Sequence, residues 1–207
     1  MSVTLAQLGL YAGALLVLFL TPGPVWVAVL ARGISGGYWA VVPLTLGVMI
    51  GDVIWPLVAI FGITAITSVY AGFLTVLRWV GAAFFVLMGL ALIRHADKSI
   101  TENKALTAPG FLAGFSAGLL AIAANPKAVL FYLGLLPGFF SMGELAAVDI
   151  VVICLISAVI PLAGNLMLAG FMGYVRQFLA SPKALYRTNF WAGIAMIGVG
   201  VVIGLAN

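Results

Sequence analysis

Two ionisable residues, Asp52 and Lys127, lie deep inside long apolar stretches of this chain. A charged side chain at bilayer depth costs about 2.5–3.5 kcal/mol even on lenient insertion scales, so it persists where it has a task. Lys127 directly follows Asn125-Pro126, and the first apolar run is interrupted by Thr21-Pro22-Gly23-Pro24. Proline removes a helix hydrogen bond and clashes with the preceding turn, so these clusters predict broken helices whose freed backbone is met by protein or water. Each restart presents unpaired N–H groups and the positive end of a helix dipole, which suits a carboxylate. The restarts at 23–25 and 127–129 are therefore expected to face one another. Thr21, Asn125 and Lys127 would add donors, and Asp52 would supply the opposite charge for an α-ammonium. The predicted binding set is Thr21, Pro22, Gly23, Pro24, Asp52, Asn125, Pro126 and Lys127, with Asp52 also the proton-coupling group as the sole acid at depth. The competing reading is structural. The breaks would then only bend helices, Asp52 would bond backbone near Pro56 or pair with Lys127, and Lys127 would snorkel or hold a broken helix end in place.

The elements that must position these residues follow from composition. Of 207 residues, 65% are hydrophobic and 7% charged, the balance of an integral membrane protein and not of a soluble globule. At about 20 residues per crossing, six all-α segments are predicted, near 4–30, 38–66, 70–93, 109–140, 144–174 and 188–206. Prolines 43, 56, 137 and 161 lie inside the long segments and predict further breaks or tilt. The whole reads as one transmembrane transporter domain over 1–207. Repeat 1 is 1–93, a cytoplasmic polar loop is 94–108 and repeat 2 is 109–207. Pro22 matches Pro126 at an offset of 104, Pro56 matches Pro161 at 105, and Trp79-x-Gly81-x-Ala83 matches Trp191-x-Gly193-x-Ala195 at 112. Since each half has three crossings, the two repeats must be inverted. Gly47-x-x-x-Gly51 and Gly110-x-x-x-Gly114-x-x-x-Gly118 read as close helix contacts, as does Gly200-x-x-x-Gly204.

The net charge of +4 comes from few residues between the segments, which makes it a topology signal and argues against nucleic acid as a partner. Arg32, then Arg94, Lys98 and Lys104, then Arg176, Lys183 and Arg187 follow alternate segments, whereas Glu144 and Asp149 lie on the other side with Arg78 the one dissenting cation. The positive-inside rule places the basic loops in the cytoplasm and both termini outside. The run before Arg32 is too long for a signal-peptide core, so it is expected to stay in the mature protein. The tryptophans read as interfacial anchors or packing groups. One cysteine, Cys154, excludes a disulfide-based electron carrier, and the single histidine, His95, sits in the polar loop. No cofactor or resident metal is called for, and no Ser-His or Asp-Asp pair within the spans supports an enzyme. A divalent-metal or small-ion exporter is the alternative, weakened by a lone acid at depth. Asn165, near Pro161, is the polar residue closest to a second-half counterpart of Asp52.

Thr21-Pro22-Gly23-Pro24, Gly47 to Gly51-Asp52, Trp79-Val80-Gly81-Ala82 and Asn125-Pro126-Lys127-Ala128 together resemble the LysE/RhtB family of bacterial amino-acid exporters. The resemblance spans the chain, and the two proline motifs in this order are its specific part. Departures are Phe84-Phe85 where many relatives have Tyr-Leu, and Pro137-Gly138-Phe139 where Pro-Gln-Phe is common. The resemblance implies efflux of amino acids or similar small zwitterions across the bacterial inner membrane, driven by the proton motive force. The partners it implies are the transported molecule, protons and membrane lipid, with a homo-oligomer open.

Overall fold

A computed structural model describes residues 2–21, 23–67, 73–94, 108–174 and 182–205. Among these the protein is all-helical. Helix α1, Leu5–Leu20, starts in a capping box: the Gln7 N–H donates to Thr4 Oγ1 and the Thr4 N–H donates to Gln7 Oε1. It stops at Thr21, whose backbone is extended, and the chain restarts as α2, Pro24–Thr67. Two limbs of α2 meet at Gly37, whose φ of 72° is a left-handed conformation open to glycine and costly for other residues. Then come α3, Phe73–Arg94, and α4, Phe111–Ala123, followed across a 51° bend by α5, Pro126–Phe139. Within α5, residues Phe131–Leu135 form a π-helical turn. Helices α6, Ala147–Gly170, and α7, Pro182–Leu205, complete the described chain.

Two of these helices are long and apolar enough to cross a membrane, Pro24–Ile63 and Ala147–Gly170, or three if the bent pair α4 and α5 is one span. Large apolar side chains such as Leu112 and Trp39 point outward, the surface of a protein solvated by lipid. Several expectations need correction. Pro43, Pro56 and Pro161 do not interrupt their helices, because the loss of one ladder bond is tolerated inside a packed bundle; the turn after the first limb is made by Gly37 instead. The last helix begins at Pro182, not near 188, since proline is well accepted at a first helical position. His95, Lys98, Lys104 and Arg176 lie outside the described residues.

Arg32 is also corrected. It sits inside the first limb of α2 and is 2% exposed, where its Nε donates to Ala40 O at 2.6 Å and a terminal nitrogen donates to Gly110 O at 2.8 Å. It therefore ties the turn beyond Gly37 to the start of α4, and does not act as a solvated loop cation. On the opposite face Asp149 is buried and accepts from the Ser2 N–H, the Ser2 hydroxyl and the Ala146 N–H, which fastens the N-terminal segment to the start of α6.

Glycines set the closest helix approaches. A methyl on Gly47 would meet the Phe115 carbonyl, one on Gly118 the Leu44 carbonyl, and one on Gly51 the Ile122 side chain, so the second limb of α2 packs backbone to backbone on α4. Helices α3 and α7 touch the same way, with Gly89 against Gly193 and Gly200 against Ala82. The α2–α4 contact brings Asp52 beside the break between α4 and α5.

Candidate functional site

At both helix breaks side chains donate to the last carbonyls of the interrupted helices, in addition to the Thr21 and Asn125 N–H groups that donate to Val17 O and Ile122 O. At the end of α1 the Thr21 hydroxyl donates to Val17 O at 2.8 Å, and Trp26 Nε1 donates to Phe19 O at 2.7 Å. Lys127 Nζ reaches across from α5 and donates to Leu18 O at 2.8 Å and to Thr21 O at 2.6 Å. A cation at a helix C-terminus complements the dipole, so the ammonium is held by charge as well as by hydrogen bonds. At the end of α4, Trp55 Nε1 donates to Ile122 O at 3.4 Å. Asn125 then caps the restart, its Oδ1 accepting the Lys127 N–H at 3.2 Å with Pro126 at the first helical position.

Asp52 comes from the second limb of α2 and is 3% exposed. Its Oδ1 accepts from the Tyr132 hydroxyl at 3.0 Å, whereas Oδ2 has no protein partner. The π turn is what delivers Tyr132: an extra residue in one helical turn swings Phe131 and Tyr132 into the core. A second buried hydroxyl pair, Tyr11 and Ser157 at 2.6 Å, lies nearby between α1 and α6. Asp52, Asn125, Lys127 and Asn165 all wall one small cavity of about 40 Å³, whose other walls are apolar, among them Leu15, Phe19, Trp26 and Val48. Sites for drug-sized ligands run to about 300–1,000 Å³, so this space has room for a few waters or one polar head group.

Most of the predicted site residues therefore gather, and Lys127 holds a broken helix end as the structural reading of it expected. Asn125 and Lys127 line the cavity, and Gly23 lies against the Lys127 side chain, since a methyl placed there would sit 3.4 Å from its ammonium. Pro24 and Pro126 open the two restarts. Pro22 lies outside the described residues. The Thr21 hydroxyl is occupied by its own helix and two of the three Lys127 ammonium N–H groups by α1 carbonyls, so both act first to hold the break. Asp52 and Lys127 share the cavity without an ion pair, because the carbonyls of α1 take the ammonium. Sequence reasoning missed Tyr132, which no periodicity marks, and left Asn165 out of the site although it stands one turn beyond Pro161. Trp26 and Trp55, expected as anchors or packing, are donors to the broken ends.

Helices that break beside a small cavity walled by Asp52, Asn125, Lys127 and Asn165 among apolar side chains, in a chain with apolar helices of membrane length, fit the class of membrane transporters. A sequence model of the LysE type translocator family matches residues 16–207, and the chain belongs to that family. It is thus a translocator and not an enzyme. It is 31% identical to an uncharacterized membrane protein of Synechocystis sp., over 94% of each chain. It is 26% identical to the leucine efflux protein of Salmonella typhimurium, over 86% of this chain and 85% of that one. An uncharacterized membrane protein of Bacillus subtilis, YrhP, is 21% identical over 78% of this chain and 80% of its own. No solved structure matches.

Proposed function

We propose that this protein is a secondary active exporter of amino acids or closely related small zwitterions across the bacterial inner membrane, coupled to the proton motive force. The observation that carries the reading is Asp52: a buried carboxylate with Tyr132 on one oxygen and an unengaged second oxygen, on a residue that lines a cavity beside the helix breaks. Such a group can take a proton or a substrate ammonium but not both, which is the exchange an antiporter needs. The family and the relative named as a leucine efflux protein support the substrate class. In this reading six crossings form two inverted halves, both termini are periplasmic, and the cavity lies near the midplane. Counterpart features support it: a break with proline at each restart, and third-segment helices α3 and α7 packed through glycines. Rocking of one half about the other would widen the cavity alternately to each side. Thr21, Gly23, Pro24, Asn125, Pro126 and Lys127 shape the break, and Pro22 is assigned there by sequence. A carboxylate of the substrate would be met by the third ammonium N–H of Lys127.

The test is flux in proteoliposomes with an imposed pH gradient, using L-leucine and a panel of other amino acids. Gradient-driven flux in the wild type, lost in Asp52→Asn while the variant keeps its thermal stability, is expected. No gradient-dependent flux of any amino acid would overturn the reading.

A further inference from the structure

We infer that Asn165 is the second arm of the substrate site, and that Asp52 Oδ2 and Asn165 Oδ1 together receive a single primary ammonium carried on an aliphatic body. The inference rests on the export reading for its substrate class and goes beyond it in naming the residue and the selectivity.

Two observations converge. Buried side-chain oxygens almost always have a hydrogen-bond partner. Among the described residues Asp52 Oδ2 and Asn165 Oδ1 are two of the three that do not, and both residues wall the same cavity. Asn165 is 1% exposed and comes from α6, so the two acceptors approach from different halves of the chain, one residue four before Pro56 and the other four after Pro161. The third oxygen, Asp149 Oδ1, belongs to the far face, where its carboxylate already binds Ser2 and Ala146.

The chemistry of the missing partner follows from what the walls lack. The Lys127 ammonium is turned to the α1 carbonyls, and the Tyr132 hydroxyl is turned to the other Asp52 oxygen. Two unpartnered acceptors, one of them anionic, are left on residues that wall a space with room for one small polar group, and a primary ammonium brings several N–H donors and one positive charge. Beyond the head group the walls are Leu15, Phe19, Trp26, Val48 and Ile122, which suit a hydrocarbon body. Selectivity comes from counting charge. Asp52 is the only acid at the cavity, so a dibasic molecule would bury a second cation without a counter-ion, next to the Lys127 ammonium. The site is therefore built for neutral aliphatic amino acids and against lysine-like ones.

Calorimetric binding to the full chain in nanodiscs tests this, with L-leucine, 3-methylbutylamine, 4-methylpentanoate, L-lysine and sodium chloride as probes. Wild type should bind leucine and 3-methylbutylamine, and lysine at least about tenfold more weakly. Asn165→Leu, similar in volume but without an acceptor, should weaken both amines by about tenfold to a hundredfold and leave 4-methylpentanoate unchanged. Asn165→Asp keeps size and acceptors, guards against misfolding of the leucine variant, and should shift preference toward lysine. Wild type that binds neither amine, Asn165→Leu that binds them as well as wild type, or sodium binding in place of amine binding would each overturn the inference. Failure of the export reading looks different: no gradient-driven leucine flux while amine binding and its loss in Asn165→Leu persist.

Discussion

Replacing Lys127 by methionine separates a structural from a substrate-binding duty for this residue. Methionine keeps most of the side-chain volume and deletes the ammonium, which leaves Leu18 O and Thr21 O without donors inside the protein. An unsatisfied buried carbonyl costs about 1–3 kcal/mol, and loss of a cation at a helix C-terminus about 0.3–1 kcal/mol more. Against this, the variant no longer buries an ammonium, which returns part of the loss. A net destabilisation of about 2–4 kcal/mol is expected, or about thirtyfold to a thousandfold in the folding equilibrium. Unfolding in mixed detergent, where increasing sodium dodecyl sulfate titrates the folded fraction, measures it directly. Lys127→Arg should lose much less, since a guanidinium still offers several donors to the same carbonyls. A methionine variant within about 0.5 kcal/mol of wild type, the scatter of neutral substitutions, would refute the argument that Lys127 holds the end of α1. Preserved stability with lost leucine binding would instead assign the ammonium to the substrate carboxylate.

Tyr132→Phe removes the donor to Asp52 Oδ1 and should cost about 1.5–3 kcal/mol of stability, read by the same titration, with transport falling as Asp52 loses its fixed orientation. Gly118→Leu places a side chain against the Leu44 carbonyl and should abolish folded protein in size-exclusion chromatography, whereas Gly138→Ala, with open space around it, should be silent. Arg32→Ala should destabilise the protein by about 1.5–3 kcal/mol through loss of the charge-assisted bonds to the Ala40 and Gly110 carbonyls. Its orientation in cysteine-labelling experiments should stay unchanged, and a reversal would show that Arg32 is a topology cation after all. Trp26→Phe should lower stability by about 1–2 kcal/mol, since only the bond to Phe19 O is lost from a side chain that otherwise packs as before.

Local chemistry made much of this protein legible from its residues alone. Two proline clusters in apolar surroundings leave the backbone no way to continue a helix, so the stops at Leu20 and Ala123 and the restarts at Pro24 and Pro126 were predictable, as was the burial of Asp52 and Lys127. Glycines at four-residue spacing announced the close α2–α4 contact for the same reason: only a missing Cβ admits a neighbouring backbone. What the sequence could not specify is which polar groups meet. An ammonium at position 127 is equally suited to a carboxylate, a substrate or a carbonyl, and only the approach of α5 to the frayed end of α1 decided for Leu18 O and Thr21 O. Arg32 looked like a loop cation because it follows the first long apolar run, and the turn at Gly37 folds the chain back over it. The π turn that brings Tyr132 to Asp52 leaves no mark in hydrophobic periodicity, and Asn165 joins Asp52 only because segments from the two halves pack around one cavity. Helix breaks are set by the covalent nature of proline within a few residues, whereas hydrogen-bond partners more than a hundred residues apart are set by packing.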